Sequence, residues 1–378
     1  MKPPPHDSPS IWQAKILEVT SYPPPRAGWG VRVSYLRRWL EARGHHCEVL
    51  NIGANRRVRG LDYTDVQGAN DFLVKLLRLA RRSHVVHAHI NGDGNKGWAL
   101  ALVAELVARL WRKGCALTFH AGPRQRFFPR ERSRLCVPFF WLIFRLAAVI
   151  ICNSSSVKEC IQGYGVRSRK IHVIPAFSHQ YLAYECVRLE PELEDFLATH
   201  QPVLLSYFFM RSEFFLETLF QAVRELAQFH RRLGLVVVGG DTRSPALYAM
   251  LGEAGIKDHT YCAGDLAHDE FMTLLPRAHI YVRTPPKDGV CSSVLEALSL
   301  SVPVVASENS LRPSGVITFK PAEAKSLVDA IESTWKRYEE VRANLVPPRV
   351  EDTLALEGNL LVALAGDHAS VTARPREG

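Results

Sequence analysis

The chain alternates, twice over, between short apolar runs and stretches of helical periodicity, and this alternation limits the folds open to it. In the first half the apolar runs are residues 16–21, 45–51, 85–90, 116–120, 148–152 and 170–175. Runs this short, bounded by Gly, Pro, Asn and Ser, read as strands buried on both faces. Helical spacing lies between them. Val31, Tyr35, Leu36, Trp39 and Leu40 recur on one side of a helix that Gly44 closes, and residues 69–82 and 97–111 repeat the pattern. The alternation restarts at Val203, with strands at 203–207, 235–238, 259–262, 280–283 and 302–307 and helices at 215–232, 245–254, 269–275 and 322–345. A strand, a helix and a second strand in sequence pair in parallel with a right-handed crossover. The chain is therefore predicted to be α/β, with two doubly wound parallel sheets, and 378 residues are too many for one simple core.

Hydrophobic content of 47% and charged content of 22% are those of a globular protein without a membrane span. The 137–144 run is too short for a span and contains Pro138. The eight cysteines are scattered without a C-x-x-C pair, as expected of reduced thiols in a cytoplasmic protein, and no signal peptide opens the chain. The net charge of +9 hides a division. Residues 1–180 hold 28 Lys and Arg against 11 Asp and Glu, and the remainder 19 against 27. A basic half joined to an acidic one assigns any anionic partner to the first half. Arg124, Arg126, Arg130, Arg132 and Arg134, interleaved with Phe127 and Phe128, form the expected contact with an anionic membrane surface. No nucleic-acid module is recognisable, so nucleic acid is not an expected partner.

Three stretches carry chemistry. Residues 287–306 read as loop, helix and strand, with Asp288 and Glu296 bracketing the helix start. Ser292 or Ser293 is placed to cap the helix, whose free amides suit a phosphate, while the carboxylates suit sugar hydroxyls. Near the N-terminus, Gly28 and Gly30 lie between a strand and a helix, where glycines let a ligand approach the backbone. The G-x-G-x-x-G dinucleotide fingerprint is not met, since its third glycine is Val33. His120 ends a strand, and ligands gather at the carboxyl ends of parallel strands. No cluster with metal-ligand spacing and no D-x-D is visible.

The acid-x7-acid spacing of Asp288 and Glu296, the Leu295-Glu296-Ala297-Leu298 core and the Pro-Val-Val-Ala strand after it resemble the donor signature of family 4 retaining glycosyltransferases. The run from Cys152 through Ser156, then Tyr164-Gly165-Val166 and residues 170–175, resembles that family's domain ending. The resemblance spans about residues 14–345. It implies the GT-B fold, two Rossmann-like domains facing a cleft, and glycosyl transfer from a nucleotide-sugar donor to a glycan, lipid-linked or small-molecule acceptor, without metal or other cofactor. On this reading residues 1–12 are a tail, 13–182 the acceptor-side domain, 183–201 an irregular linker, 202–346 the nucleotide-sugar domain, and 347–378 a crossing helix and tail. It further implies that His120 contacts the donor sugar near its reacting carbon, that Asp288 and Gly289 hold sugar hydroxyls, that Ser292 and Ser293 meet the phosphates, and that Glu296 accepts from the ribose. Gly28 and Gly30 lie beside the pyrophosphate. The chain departs from the pattern where the family carries a phosphate-clamping Arg and Lys, since Phe209 and Phe214 stand there. Arg211 is the nearest replacement and Arg283 the second. The missing charges leave a rival reading, a non-catalytic GT-B-like binding protein, and a GT-B epimerase or phosphorylase is a further one.

Overall fold

The computed structural model describes residues 12–23, 28–59, 62–92, 94–120, 122, 125–286 and 291–372, without the side chains of residues 28, 95 and 368–372. In chain order the elements are β1 (Lys15–Thr20), α1 (Gly28–Glu41), β2 (His46–Asn51), α2 (Ala69–Arg82), β3 (Val85–Ile90), α3 (Asn95–Leu110), β4 (Gly114–Phe119), α4 (Val137–Leu146), β5 (Val149–Cys152), α5 (Ser155–Gln162) and β6 (Ile171–Val173). There follow α6 (Pro191–Thr199), β7 (Val203–Tyr207), α7 (Leu216–Phe229), β8 (Gly234–Val238), α8 (Pro245–Glu253), β9 (Thr260–Gly264), α9 (His268–Leu274), β10 (Ile280–Arg283), α10 (Ser292–Ser299), β11 (Val304–Ser307), β12 (Val316–Phe319), α11 (Ala324–Lys336), α12 (Tyr338–Ala343) and α13 (Thr353–Thr372). They form two compact units, Met1–Ile174 with Leu354–Gly378, and Pro175–Thr353.

The first unit is built on a parallel sheet of order β2-β1-β3-β4-β5-β6. Every residue of β3 and β4 is buried, as strands covered by helices on both faces require. Phe119, Phe128, Phe140, Phe144 and Tyr164 pack ring against ring under α4. The last helix, α13, belongs to this unit. Its Glu357 carboxylate accepts a 2.6 Å hydrogen bond from Arg32 Nε of α1, and both side chains are buried.

The second unit repeats the plan with order β12-β11-β10-β7-β8-β9. Three elements depart from expectation. Part of the expected irregular linker, residues 183–201, is α6, and Pro191 is its first residue, where its missing N–H and fixed φ suit a helix start. β12 was not predicted, since it is a half-exposed edge strand that shows no buried run. The expected 322–345 helix is two helices, α11 and α12, interrupted at Arg337, which has a non-helical φ/ψ of −117° and 29°. No helix among the described residues is long and apolar enough to cross a membrane. None of the eight cysteines forms a disulfide.

Candidate functional site

In the first unit the polar exceptions to a dry sheet fall in one place. Glu18 on β1 is in register with His87 on β3, and the period of two along a strand puts His89 on the same face. The Glu18 carboxylate bridges both rings: Oε1 lies 3.0 Å from His87 Nδ1 and Oε2 lies 2.7 Å from His89 Nε2. His87 Nε2 meets Thr118 Oγ1 at 2.8 Å, and His89 Nδ1 meets His120 Nε2 at 2.8 Å. His120 follows the last residue of β4, at the carboxyl edge of the sheet. Its ring stacks on His89 and takes the Trp29 ring of α1 edge-on, with centroids 4.6 Å apart.

The protonation pattern follows from these distances. Burial pushes the Glu18 carboxyl up, but the charge and hydrogen bond of His87, with His89, outweigh it and hold the group at about 2. An ionised carboxylate only accepts, so His87 Nδ1 and His89 Nε2 donate to it. Burial, then the neighbouring His87, keeps His89 below the usual range. A neutral His89 then has an acceptor at Nδ1, and His120 donates to it from Nε2. Burial comes first, and the Arg32 guanidinium adds to it, so that His120 is held well below the usual histidine range. The ring at the sheet edge is thus a neutral imidazole whose Nδ1 is an acceptor. Glu18, His87 and His89 also have the donor set of a metal site, with ligand atoms all within 4.8 Å of one another. The carboxylate–imidazole hydrogen bonds already account for those atoms.

The sequence pointed to His120 but not to Glu18, His89 or Thr118. The signal that could have found them is His-x-His inside an otherwise apolar strand. Gly28 opens α1, and Gly30 has a packing reason to be glycine: a Cβ there would lie 3.1 Å from the Ser21 carbonyl oxygen. Phe127 and Phe128 are turned inward. Phe128 is fully buried and Phe127 packs on Trp98, so neither is available to a membrane surface, while Arg126, Arg130, Arg132 and Arg134 are exposed. Arg124 lies outside the described residues.

In the second unit α10 starts at the carboxyl edge, between β10 and β11. Neither serine caps it. The cap position is Cys291, whose side chain makes no capping bond. Ser293 Oγ instead accepts a 2.6 Å bond from the buried Tyr281 hydroxyl. The first amides of the helix, on Ser292 and Ser293, have no hydrogen-bond partner among the described residues. Glu296, one turn in, is buried with no cation beside it among the described residues, and burial pushes its carboxyl up to about 8. Asp288 and Gly289 lie outside the described residues. Arg211 is 64% exposed on the turn after β7, held loosely by Glu213 at 3.9 Å and the Phe209 ring. Arg283, the last residue of β10, is buried instead. Its Nη1 donates to the Tyr207 carbonyl at 2.6 Å, and its guanidinium lies over the Phe214 ring at 5.1 Å. The Thr284 hydroxyl donates to the Phe214 carbonyl, and Arg312 ties Pro285 to Ser307. Phe209 and Phe214 thus carry cations on their faces.

Two parallel α/β units in tandem, each with polar groups gathered at the carboxyl edge of its sheet, make the GT-B fold. Residues 27–177 match the model for Glycosyltransferase Family 4 and residues 196–346 that for Glycosyl transferases group 1, and the chain belongs to this family. No curated protein sequence matches the chain. Among solved structures it is similar to Anabaena HepE in complex with UDP and glucose, with a TM-score of 0.63, 16% identity, and coverage of 95% of this chain and 99% of that one. It is similar also to S. aureus MnaA bound to UDP (0.65, 15%, 96% and 99%). Sucrose-phosphate synthase from Thermosynechococcus elongatus gives 0.63, 16%, 95% and 98%. At these identities the likeness is one of fold.

Proposed function

We propose that the protein is a retaining, metal-independent glycosyltransferase that moves a sugar from a nucleotide-sugar donor to a glycan, lipid-linked or small-molecule acceptor and needs no cofactor. The observation that carries this reading is the amino end of α10, where amides and a buried carboxyl, unpartnered among the described residues, stand one turn apart. The amides offer positive potential to a diphosphate. A Glu296 carboxyl that keeps its proton near neutrality can both donate to and accept from the two hydroxyls of a ribose. Membership of the family and the UDP and UDP-sugar complexes among similar folds support the same assignment.

The roles follow from the chemistry. Ser292 and Ser293 meet the phosphates through their amides, and Asp288 and Gly289 hold sugar hydroxyls. Arg283 takes the place of the absent clamp in preference to Arg211. It is buried and oriented at the strand end, so its charge acts through a lower dielectric than that of the solvated Arg211. Neutral His120 accepts from a sugar hydroxyl at Nδ1, and its charge does not compete with the leaving diphosphate. Glu18 and His89 position that ring and fix its tautomer. A lipid-linked acceptor would bring the exposed arginines of residues 126–134 to an anionic membrane surface.

The test is release of free nucleoside diphosphate from UDP-, GDP- and ADP-sugars without added metal, with Glu296→Ala and His120→Ala as controls. Slow hydrolysis of one donor, lost in both variants, is expected. The non-catalytic reading, favoured by Phe209 and Phe214, predicts donor binding in a calorimeter with no turnover for any acceptor. Absence of both release and binding would end the glycosyltransferase reading.

A further inference from the structure

At the opposite edge of the first sheet, where the strands begin, there is a cavity of about 390 Å³, within the size range of small-ligand sites. Five of its lining residues are cationic: Arg109 in the last turn of α3, Arg145 in the last turn of α4, and Arg167, Arg169 and Lys170 in the turn before β6. No carboxylate among the described residues lines it. None of the five forms an ion pair with an acid among the described residues. Lys170 Nζ donates to the Arg145 carbonyl at 3.1 Å, and Arg109 Nη2 reaches the Leu146 carbonyl at 3.5 Å, so both are aimed at the carboxyl end of α4. The side chains of Arg167 and Arg169 are exposed and have no partner among the described residues.

One acid lies nearby and pairs with none of the five. Glu105, one turn before Arg109, is fully buried, and neither carboxyl oxygen has a hydrogen-bond partner. Burial pushes it well above the usual carboxylate range, against the opposing charges of Lys170 and Arg109. Five positive charges around one cavity repel one another unless an anion enters. The wall also carries a flat apolar surface: Trp141 is 44% exposed, with the Arg145 guanidinium 5.4 Å from its ring centroid. Guanidinium groups bind phosphate oxygens in pairs, and an aromatic face beside them receives the organic part of an ester.

We infer that this cavity is a binding site for a phosphate ester, separate from the carboxyl-edge site of the same unit. The ester belongs either to a soluble phosphorylated compound or to a phospholipid headgroup. Leu106 and Leu110, exposed on the same helix as Arg109, are the kind of surface a bilayer would meet. The inference does not depend on the proposed transferase activity.

The experiment has two arms at physiological ionic strength. Sodium pyrophosphate is titrated into the full chain in a calorimeter, and the protein is co-sedimented with phosphatidylcholine vesicles containing one-third phosphatidylglycerol. The test variant is Arg167→Ser/Arg169→Ser, which removes two exposed side chains and leaves the core intact. Its charge-matched control is Arg78→Ser/Arg82→Ser on α2. Binding in at least one arm is expected, with the cavity variant at least tenfold weaker, about 1.4 kcal/mol, and the α2 variant close to the parent. Loss confined to the pyrophosphate arm identifies a soluble ligand, and loss confined to the vesicle arm a headgroup. The inference is overturned if neither probe binds, or if the α2 variant weakens binding as much as the cavity variant does.

Discussion

Glu296 lends itself to a measurement that requires no knowledge of the donor. Its carboxyl keeps its proton to about pH 8 in the folded chain and loses it near 4.5 when unfolded. Between those values the native state holds one proton more than the unfolded state, so stability falls as pH rises. The contribution is fully present below pH 4.5 and lost by the time pH has passed through 8. At 1.36 kcal/mol per pH unit, a gap of about 3.5 units sets a ceiling of ~5 kcal/mol, of which ~3 kcal/mol is gone at pH 7. Glu296→Gln keeps the shape and cannot ionise, so it should lack this slope. The assay is urea unfolding of both proteins at about pH 5, 7 and 9. All other titrating groups cancel when parent is compared with variant. The variant should gain on the parent by several kcal/mol between the first and last pH. A difference constant to within about 0.5 kcal/mol, near the error of the extrapolation, would mean that the folded carboxyl is already ionised, and the account of α10 as a buried, cation-free site would fail.

Other expectations concern separate parts of the molecule. Glu18→Gln should cost ~3 kcal/mol at pH 7, since breaking a buried charge network leaves its partners unpaired. The depressed pKa makes this stabilisation fade as pH falls from 4.5 toward 2, so acid unfolding should show the gap between parent and variant closing. His89→Ala should lower kcat of the proposed transferase at least tenfold with little change in donor KM, and imidazole added to the buffer should restore part of it if His89 acts through the His120 tautomer. Arg283→Ala should weaken UDP binding more than tenfold in calorimetry, against less than threefold for Arg211→Ala. Gly358→Ala should destabilise the chain by ~1–3 kcal/mol in thermal melts, because its Cβ would fall 2.3 Å from the Trp39 ring.

How far the sequence could be read depended on what each feature needed in order to be visible. Strands of the two sheet interiors were legible because burial on both faces leaves continuous apolar runs, as in residues 235–238. β12 was hidden because an edge strand with half-exposed residues leaves no such run. His120 was legible as a polar residue at a strand end, and Glu296 as an acid in the first turns of a helix. Glu18 was not, because a lone acid in an apolar run acquires meaning only when the β1–β3 register sets it beside His87. Ser292 and Ser293 looked like caps by residue type alone, but the Tyr281 hydroxyl holds Ser293, and no spacing rule ties residues twelve apart across a strand and a loop. Arg283 shows the same limit, since its burial comes from packing on Tyr207 and Phe214 of other elements. The pairing of Arg32 with Glu357, 325 positions away, could not be read locally at all.

That last pairing bears on how the molecule comes into being. The first unit is complete only when α13 joins it, yet α13 follows the whole second unit in the chain and is made after it. At bacterial or eukaryotic synthesis rates of about 5–20 residues per second, the ribosome spends on the order of ten seconds or more on the intervening stretch. For that interval the nascent first unit lacks the Glu357 carboxylate that Arg32 meets in the finished fold, and the Trp39 surface that Gly358 covers is bare. The second unit, by contrast, is contiguous and can close as it emerges. A chain that stops short of Glu357 would be stranded at that stage, with one half finished and the other waiting.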